Sequence, residues 1–218
     1  MSRFDPRFED LSATLPIFPL TGVLLLPRGS LPLNIFEVRY LNMVEDALAA
    51  DRMIGMIQPS DPESDDSMPT VYKTGCAGRI VHFEETDDDR YLITLQGVSR
   101  FRWMEELPTT RGYRRVTADW SPFASDLRVE EGEDLDLEAL LTPLRTYFDH
   151  EGINANWDAI NETPAERLIT SLAMICPFEP PEKQALLEAR DLADRTKVLT
   201  ALVEMAVLSS SSGDSARQ

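Results

Sequence analysis

Cysteine and histidine are scarce in this sequence, with two of each in 218 residues. Cys76 and Cys176 lie far apart in the chain, so they form neither a disulfide framework nor a metal-ligand spacing. His82 and His150 each stand without an HExxH motif or a second histidine nearby. Isolated histidines of this kind are more typical of exposed or packed side chains than of bases or ligands. We therefore expect reduced thiols, no bound metal and no cofactor.

Motifs for nucleotide binding and nucleophilic catalysis are also missing. No segment matches the phosphate-binding pattern G-x-x-x-x-G-K-[ST], which excludes an ATPase of that class. The acidic clusters at 61–66, 84–89 and 130–138 lack the alternating ligand positions of a calcium loop, so we interpret them as solvated loops. No serine has a sequence-level partner that would activate it. The chain is therefore not expected to be an enzyme, although a small hydrolase with a dispersed site stays open as an alternative.

Positive charge and long hydrophobic runs are both in short supply. Lysine and arginine number 21 against 38 aspartates and glutamates, which gives a formal net charge of −17. Such a surface repels phosphate backbones and anionic lipid, and it suits neutral or basic partners. The first residues contain no apolar run of signal-peptide length, and the run Val23–Leu26 is too short to span a bilayer. We expect a cytoplasmic protein that binds no membrane.

The hydrophobic pattern changes from strand-like to helix-like along the chain. Short apolar runs broken by prolines, at Leu15–Leu20, Val23–Leu26 and Leu31–Phe36, predict edge-type or irregular strands before a helix over 37–50. Alternating runs continue to Trp120 and predict an antiparallel, partly closed β-barrel of about six strands with one helix. Helical spacing comes later, so the fold class is α+β. The expected parts are a flexible arm at 1–13, a β-barrel half at 14–120, a linker at 121–137, a helical lobe at 138–208 and a flexible tail at 209–218.

Several blocks of sequence resemble a known family. The segments PIFPL, LLPRGSLPLNIFEVRYLNMV, IGMIQP, TGCAGRI and YLITLQGVSRFRW occur in this order and are similar to the N-terminal substrate-binding domain of the Lon protease family. The resemblance covers roughly residues 14 to 208 and implies a PUA-like barrel followed by a helical lobe, here as a free-standing single domain. One departure is Val38, where that family often has proline after the glutamate. We expect this difference to alter the start of the helix and not the fold.

The positions that match the family's motifs are expected to be structural. A carboxylate at the helix start, Glu37, would interact with the helix dipole, and Tyr40 would begin the buried stripe. Gly97 would permit a backbone bend, and Arg100 would face solvent or pair locally. The full set of motif positions is Pro19, Glu37, Arg39, Tyr40, Gly75, Gly97 and Arg100.

Residues 97–116 carry local positive charge against the acidic background. Arginines outnumber glutamates there and alternate with aromatic residues: Arg100, Arg102, Arg111, Arg114 and Arg115, with Glu105 and Glu106, and with Phe101, Trp103 and Tyr113. Arginine beside aromatic rings can stack on bases or bind carboxylates. Single-stranded nucleic-acid binding is therefore an alternative function, with Arg102, Trp103, Tyr113 and Arg114 as candidate contacts. The net charge favours ion pairs with nearby acids instead.

The resemblance implies a non-catalytic, ATP-independent module related to proteolysis. It would recognise unfolded or tagged polypeptide by burying apolar side chains on the β half and in a cleft against the helical lobe, with strand addition at an open sheet edge as a further mode. A separate protease or chaperone is a candidate partner. Methionines, including Met53, Met56, Met68 and Met104, would give an exposed groove adaptable packing.

Overall fold

The structure is a computed structural model that describes residues 7–64, 66–108, 111–128 and 135–215, with side chains as far as residue 209. Contacts between Cα atoms divide the chain into two compact units, Met1–Val129 and Glu130–Gln218. Parts of the predicted arm (1–6), linker (129–134) and tail (216–218) lie outside the described residues. Within those described ranges, no helix combines the length and the apolar character needed to cross a membrane.

The first unit contains six strands and one α-helix. The elements are β1 (Thr14–Pro19), β2 (Ser30–Ile35), α1 (Val38–Ala49), β3 (Met53–Ile57), β4 (Thr74–Glu85), β5 (Tyr91–Leu107) and β6 (Arg114–Asp119), with short 3-10 helices at Phe8–Asp10 and Ser121–Leu127. The predicted helix over 37–50 is α1, whose buried side chains recur every three or four residues. They are Tyr40, Met43, Val44 and Ala47.

The six strands form a sheet whose hydrogen bonding closes into a ring. Their order is β2-β5-β4-β3-β1-β6, and β6 also pairs with β5. This confirms the predicted partly closed barrel of about six strands with one helix. The prediction of purely antiparallel pairing is wrong at one place, because β1 and β3 are parallel, with Ile17 opposite Gly55. A parallel pair needs a crossover connection, and here the chain between β1 and β3 makes one through β2 and α1.

One apolar run that the sequence predicts as a strand does not pair in the sheet. Val23–Leu26 belongs to no strand, although Leu24, Leu25 and Leu26 are buried. Turns close the run on both sides, at Gly22 with φ 73° and at Arg28 with φ 64°. The prediction failed because apolar composition indicates burial without specifying a hydrogen-bonded partner.

The strand β5 runs unbroken over 17 residues. Gly97, where the sequence predicts a backbone bend, lies within it. Its first part pairs with β2 and its last part with β6, while β4 lies along its length. The pairing with β4 shifts register beside Gly97. A Cβ at this position would lie 1.9 Å from the Leu26 carbonyl oxygen, so the glycine allows two backbones to approach closely.

The second unit is helical. It contains α2 (Leu137–His150), α3 (Trp157–Glu162), α4 (Ala165–Ile175), α5 (Pro180–Glu188) and α6 (Leu192–Ser215). The last helix contacts α2, α4 and α5, and it buries Leu199 and Val203. The tail predicted at 209–218 is helical as far as Ser215. The helix α6 thus continues past its buried apolar positions into the serine run.

Candidate functional site

Arg100 is buried, which differs from the sequence prediction of a solvent-facing or locally paired side chain. Its Nε and Nη2 donate hydrogen bonds of 2.9 Å and 2.7 Å to the two carboxylate oxygens of Asp126, and its backbone N–H donates a third of 2.9 Å. The ring of Phe123 lies 4.7 Å from the guanidinium carbon. A buried charge needs a partner of opposite sign, so this pair fixes Ser121–Leu127 to β5. That segment, expected to begin a polar linker, is therefore part of the first unit.

The Arg114 guanidinium donates hydrogen bonds to two partners. Nε and Nη2 donate to the two oxygens of Glu106 at 2.9 Å and 2.8 Å, and Nη1 donates to the Pro69 carbonyl at 2.7 Å. This bidentate arrangement is the geometry in which arginine binds a carboxylate most strongly. The donors that a phosphate would need are therefore already engaged.

Arg111 and Tyr113 join the segment before β6 to helix α1. Arg111 donates to Asn42 Oδ1 at 2.8 Å and to Glu45 Oε2 at 2.6 Å, and it also pairs with Asp46. The Tyr113 hydroxyl donates to the other Asp46 oxygen at 2.7 Å. Burial, followed by this hydrogen bond, raises the pKa of Tyr113 above its usual value. Both residues thus form contacts within the unit.

Of the four candidate nucleic-acid contacts, Arg102 alone has an exposed side chain. Trp103 is half-buried, its Nε1–H donates to the Tyr72 carbonyl at 2.8 Å, and the Lys73 ammonium lies 3.3 Å from the centre of its ring. Because Arg100, Arg111 and Arg114 each pair with carboxylates, the described residues of the stretch 97–116 do not present a continuous basic surface.

The motif positions near α1 make local contacts. Glu37 occupies the N-cap position of the helix without a side-chain capping bond, and instead its carboxylate accepts from Arg39 at 3.0 Å. The Arg39 guanidinium lies 4.5 Å from the centre of the Tyr40 ring, and that ring packs on Phe18 with centroids 4.2 Å apart. Burial raises the pKa of Tyr40. Pro19, the residue after Phe18, is the last residue of β1.

Gly75 lies at a tightly packed place in the sheet. A Cβ there would lie 2.6 Å from the Met56 carbonyl oxygen and 2.7 Å from the ring of Phe101. Phe101 is fully buried and belongs to the main core of the unit. The position therefore accepts no side chain unless the backbone moves.

The last part of β4, Val81–Glu85, is the most exposed segment of the sheet, and we call it the β4 edge. All five residues are exposed, although most of β4 before them is buried. The partner strand β3 reaches β4 only as far as Arg79. Among the described residues, no strand pairs with the β4 edge on the side opposite β5. An unpaired strand edge presents free backbone donors and acceptors.

Exposed apolar side chains gather at this end of the sheet. On the β4 edge, Val81 is 56% exposed and Phe83 is 39% exposed. The Phe83 ring lies 5.0 Å from that of Tyr91, and Tyr91 pairs in register with Ile35 and Glu85 on the two neighbouring strands. Further exposed apolar residues at the start of α1 and on β5 are Phe36, Val38 and Leu92. The only signal for these exposed residues of β4 in the sequence is the alternation in VHFEE.

Carboxylates surround the β4 edge. Glu84 and Glu85 lie on it, and the connection to β5 contains Asp87, Asp88 and Asp89. Arg90 pairs with Asp88 at 2.8 Å. A hydrogen bond from the Thr86 hydroxyl, with the Arg90 charge, holds the pKa of Asp88 below its usual range. The local field is therefore negative at neutral pH.

The four methionines singled out in the sequence are divided between the core and the surface of the first unit. Met53 and Met56 are buried in the core, whereas Met68 and Met104 are 57% and 58% exposed. Met68 lines an open pocket of about 330 Å³ together with Leu107, Pro108 and Arg114. Within the described ranges, no group of three histidine, cysteine or acidic side chains is placed to hold a metal ion.

Comparison with known proteins identifies relatives over most of the chain. The family model described as the ATP-dependent protease La (LON) substrate-binding domain matches residues 14–204. Lon protease 2 of Myxococcus xanthus is 29% identical over 199 residues, which cover 89% of this chain and 24% of that protein. The Lon protease of Dictyoglomus thermophilum is 27% identical over 193 residues, which cover 88% and 24%. The chain thus spans about a quarter of the length of these curated relatives.

Two solved structures share the fold. The crystal structure of a Lon N-terminal domain protein from Xanthomonas campestris has a TM-score of 0.59 and 24% identity, and the match covers 86% of this chain and 97% of that one. The N-terminal domain of Mycobacterium avium complex Lon protease has a TM-score of 0.57 and 15% identity, and the match covers 87% and 97%.

These findings define the class of the protein as a mixed six-stranded β domain with helices, of the type seen in Lon N-terminal domains. The chain belongs to the family of the Lon (ATP-dependent protease La) substrate-binding domain. This confirms the family resemblance found in the sequence. The matched region is the substrate-binding domain, and no match to a catalytic domain accompanies it.

Proposed function

We propose that this chain is a non-catalytic, ATP-independent module that binds unfolded or tagged polypeptide segments in the cytoplasm. Membership of a substrate-binding domain family supports this function. The observation that carries it is the unpaired β4 edge with its exposed apolar side chains Val81 and Phe83, at the end of the sheet where Phe36 is also exposed. Such a surface suits a flexible chain that contributes both apolar side chains and backbone hydrogen bonds.

The mechanism is reversible burial of apolar surface. Fully burying an aliphatic or aromatic side chain contributes about 1.5–3 kcal/mol, and association and ordering offset a large share of the total. A few exposed residues of this kind, Val81, Phe83, Phe36 and Val38, therefore support weak, rapidly reversible binding. That behaviour suits a module that passes its client to a second protein, for which we propose a separate protease or a chaperone.

Nucleic-acid binding is the weaker alternative. It would need free guanidinium groups on residues 97–116, and the arginines at 100, 111 and 114 donate to carboxylates instead. The net charge of −17 adds a repulsive field for any polyphosphate chain.

Binding of the purified chain to a labelled, reduced and alkylated polypeptide, measured across a salt series, tests the proposal. We expect saturable binding that persists at high salt, because apolar burial is not screened by ions. Binding that disappears as salt rises would contradict apolar recognition. Absence of binding at every salt concentration would remove polypeptide recognition as the function. Two controls accompany the assay. In the first, this chain is unfolded in denaturant; in the second, a folded, inert protein replaces the labelled polypeptide.

A further inference from the structure

The β4 edge combines an unpaired backbone with alternating side chains. Val81 and Phe83 are exposed apolar residues, while His82 and Glu84 alternate with them. His82 and Glu84 lie 3.8 Å apart, and both side chains are well exposed. The pairing with β5 shifts register between Ile80 and His82, so Val81 lies at an irregularity. Successive side chains of a regular strand point to opposite faces, so from His82 onward an added strand would meet polar and apolar positions in alternation.

The charge around the β4 edge is strongly one-sided. Residues 81–91 contain five carboxylates, Glu84, Glu85 and the three aspartates at 87–89, and their basic groups are Arg90 and His82. Charged residues on an edge ordinarily prevent edge-to-edge association. Because these charges share one sign, they oppose an acidic strand and attract a basic one.

We propose that the β4 edge adds an extended, basic and apolar polypeptide segment as an extra strand of the sheet. The proposal rests on the proposed polypeptide-binding function and names its location and its class of client. Backbone hydrogen bonds supply affinity without sequence preference, Val81 and Phe83 receive apolar side chains, and the carboxylates select lysine and arginine.

A second copy of this chain is the competing occupant of the same edge. Two such edges would bring the carboxylates of Glu84, Glu85 and the three aspartates at 87–89 of both copies close together, and like charges that face each other destabilise a strand pair. The net charge of −17 on each copy adds to that repulsion. The observed charges therefore favour a basic client over self-association.

Three labelled peptides and the full chain test the proposal. The first peptide alternates lysine with valine and phenylalanine, the second has glutamate in place of lysine, and the third is the first with prolines that remove its backbone donors. We expect the basic peptide to bind at least about tenfold more tightly than either of the others, since several exposed ion pairs and ladder bonds each contribute a modest factor. On saturation with the basic peptide, the amides of Val81–Glu85 should exchange hydrogen more slowly.

A matched pair of double variants separates local charge from net charge. Glu84→Lys with Glu85→Lys should weaken binding of the basic peptide about tenfold. Glu63→Lys with Glu204→Lys makes the same change in net charge at exposed positions that are not part of the β4 edge. That control should keep affinity within about twofold at moderate salt, because it leaves the carboxylates of the β4 edge in place and salt screens the change in net charge.

Each other outcome overturns the proposal in a different way. Equal weakening by both double variants would mean that net charge alone attracts the peptide, and equal binding of the proline peptide would exclude strand addition. Sedimentation that shows a dimer broken by Glu84→Lys with Glu85→Lys would assign the edge to a second copy. If the unfolded polypeptide binds while the basic peptide does not, the edge assignment fails and the proposed function stands. If neither binds, both fail.

Discussion

The guanidinium of Arg100 and the carboxylate of Asp126 form a bidentate ion pair whose side chains are 1% and 3% exposed. The two residues lie 26 positions apart, so the pair joins the middle of β5 to the 3-10 helix that follows β6. Desolvating both charges is costly, and the hydrogen bonds between them offset that cost only while both partners are present.

Removing the Asp126 carboxylate should strongly destabilise the protein. In Asp126→Ala, Arg100 keeps its charge in a buried site without the carboxylate, and the expected loss is about 3–5 kcal/mol in the free energy of unfolding. Urea denaturation measures it. Asp87→Ala, at an exposed loop position, should change the same quantity by less than about 0.5 kcal/mol. Equal effects of the two substitutions would contradict a structural role for the pair.

Gly97→Ala should cost more than an alanine at an ordinary turn glycine. The new Cβ would meet the Leu26 carbonyl oxygen at 1.9 Å, so two backbone segments must separate, and we expect a loss above about 3 kcal/mol in the free energy of unfolding. Gly152→Ala is the control, since Gly152 has φ 66° and no atom within 4 Å of its Cβ position. That change should cost about 1–2 kcal/mol. Thermal denaturation measures the stability of both variants. Similar losses of stability in the two would argue against the close approach of the backbones at Gly97.

Stability should fall at alkaline pH because of Cys176 and Tyr147 in the helical unit. Burial raises the pKa of the Cys176 thiol from 9.0 to about 12 and that of the Tyr147 hydroxyl from 10.0 to about 12. Both groups are neutral when protonated, so the unfolded chain loses these protons at lower pH than the folded chain. Their contribution is complete below about pH 9 and is lost as pH rises toward about 12.

Denaturant titrations at several pH values between 9 and 12 test this dependence. Cys176→Ala should make the fall in stability with pH less steep, whatever its effect on stability at neutral pH. An unchanged slope in Cys176→Ala would exclude the thiol as a cause.

Removing apolar side chains from the β4 edge should weaken binding of unfolded polypeptide. Val81→Ser with Phe83→Ser removes two exposed apolar side chains, and we expect about a tenfold loss of affinity. The matched variant Met205→Ser with Leu208→Ser removes two others that are 58% and 66% exposed on α6, and it should retain affinity. Fluorescence anisotropy gives both affinities, and circular dichroism checks folding. Unchanged affinity in Val81→Ser with Phe83→Ser would place the binding surface elsewhere, and equal loss in both variants would show that the effect is not specific to the β4 edge.

Sequence reasoning succeeded where the information is local. Alternating apolar residues predicted the number of strands, and three- to four-residue spacing predicted α1. It failed at Val23–Leu26, which is buried without pairing, and at the β1–β3 pair, which is parallel. In both cases the decisive contacts join segments distant in the chain, and periodicity carries no information about such partners.

The candidate site shows the same division. The arginine-rich stretch at 97–116 was visible in the sequence, but which acids its members would pair with was not. Arg100 lies in β5, and its partner Asp126 is 26 positions later in the chain. Only the fold brings the two side chains together. The exposure of Val81 and Phe83 likewise depends on where β3 stops pairing, at Arg79.

The sequence by itself determined the family, the mixed β and helical composition and the strong negative charge, because these follow from residue order and counts. Only the tertiary structure decided that Arg100 is buried and that the β4 edge is open. Burial and edge exposure are properties of segments brought together from distant parts of the chain, so they are set by packing and strand register.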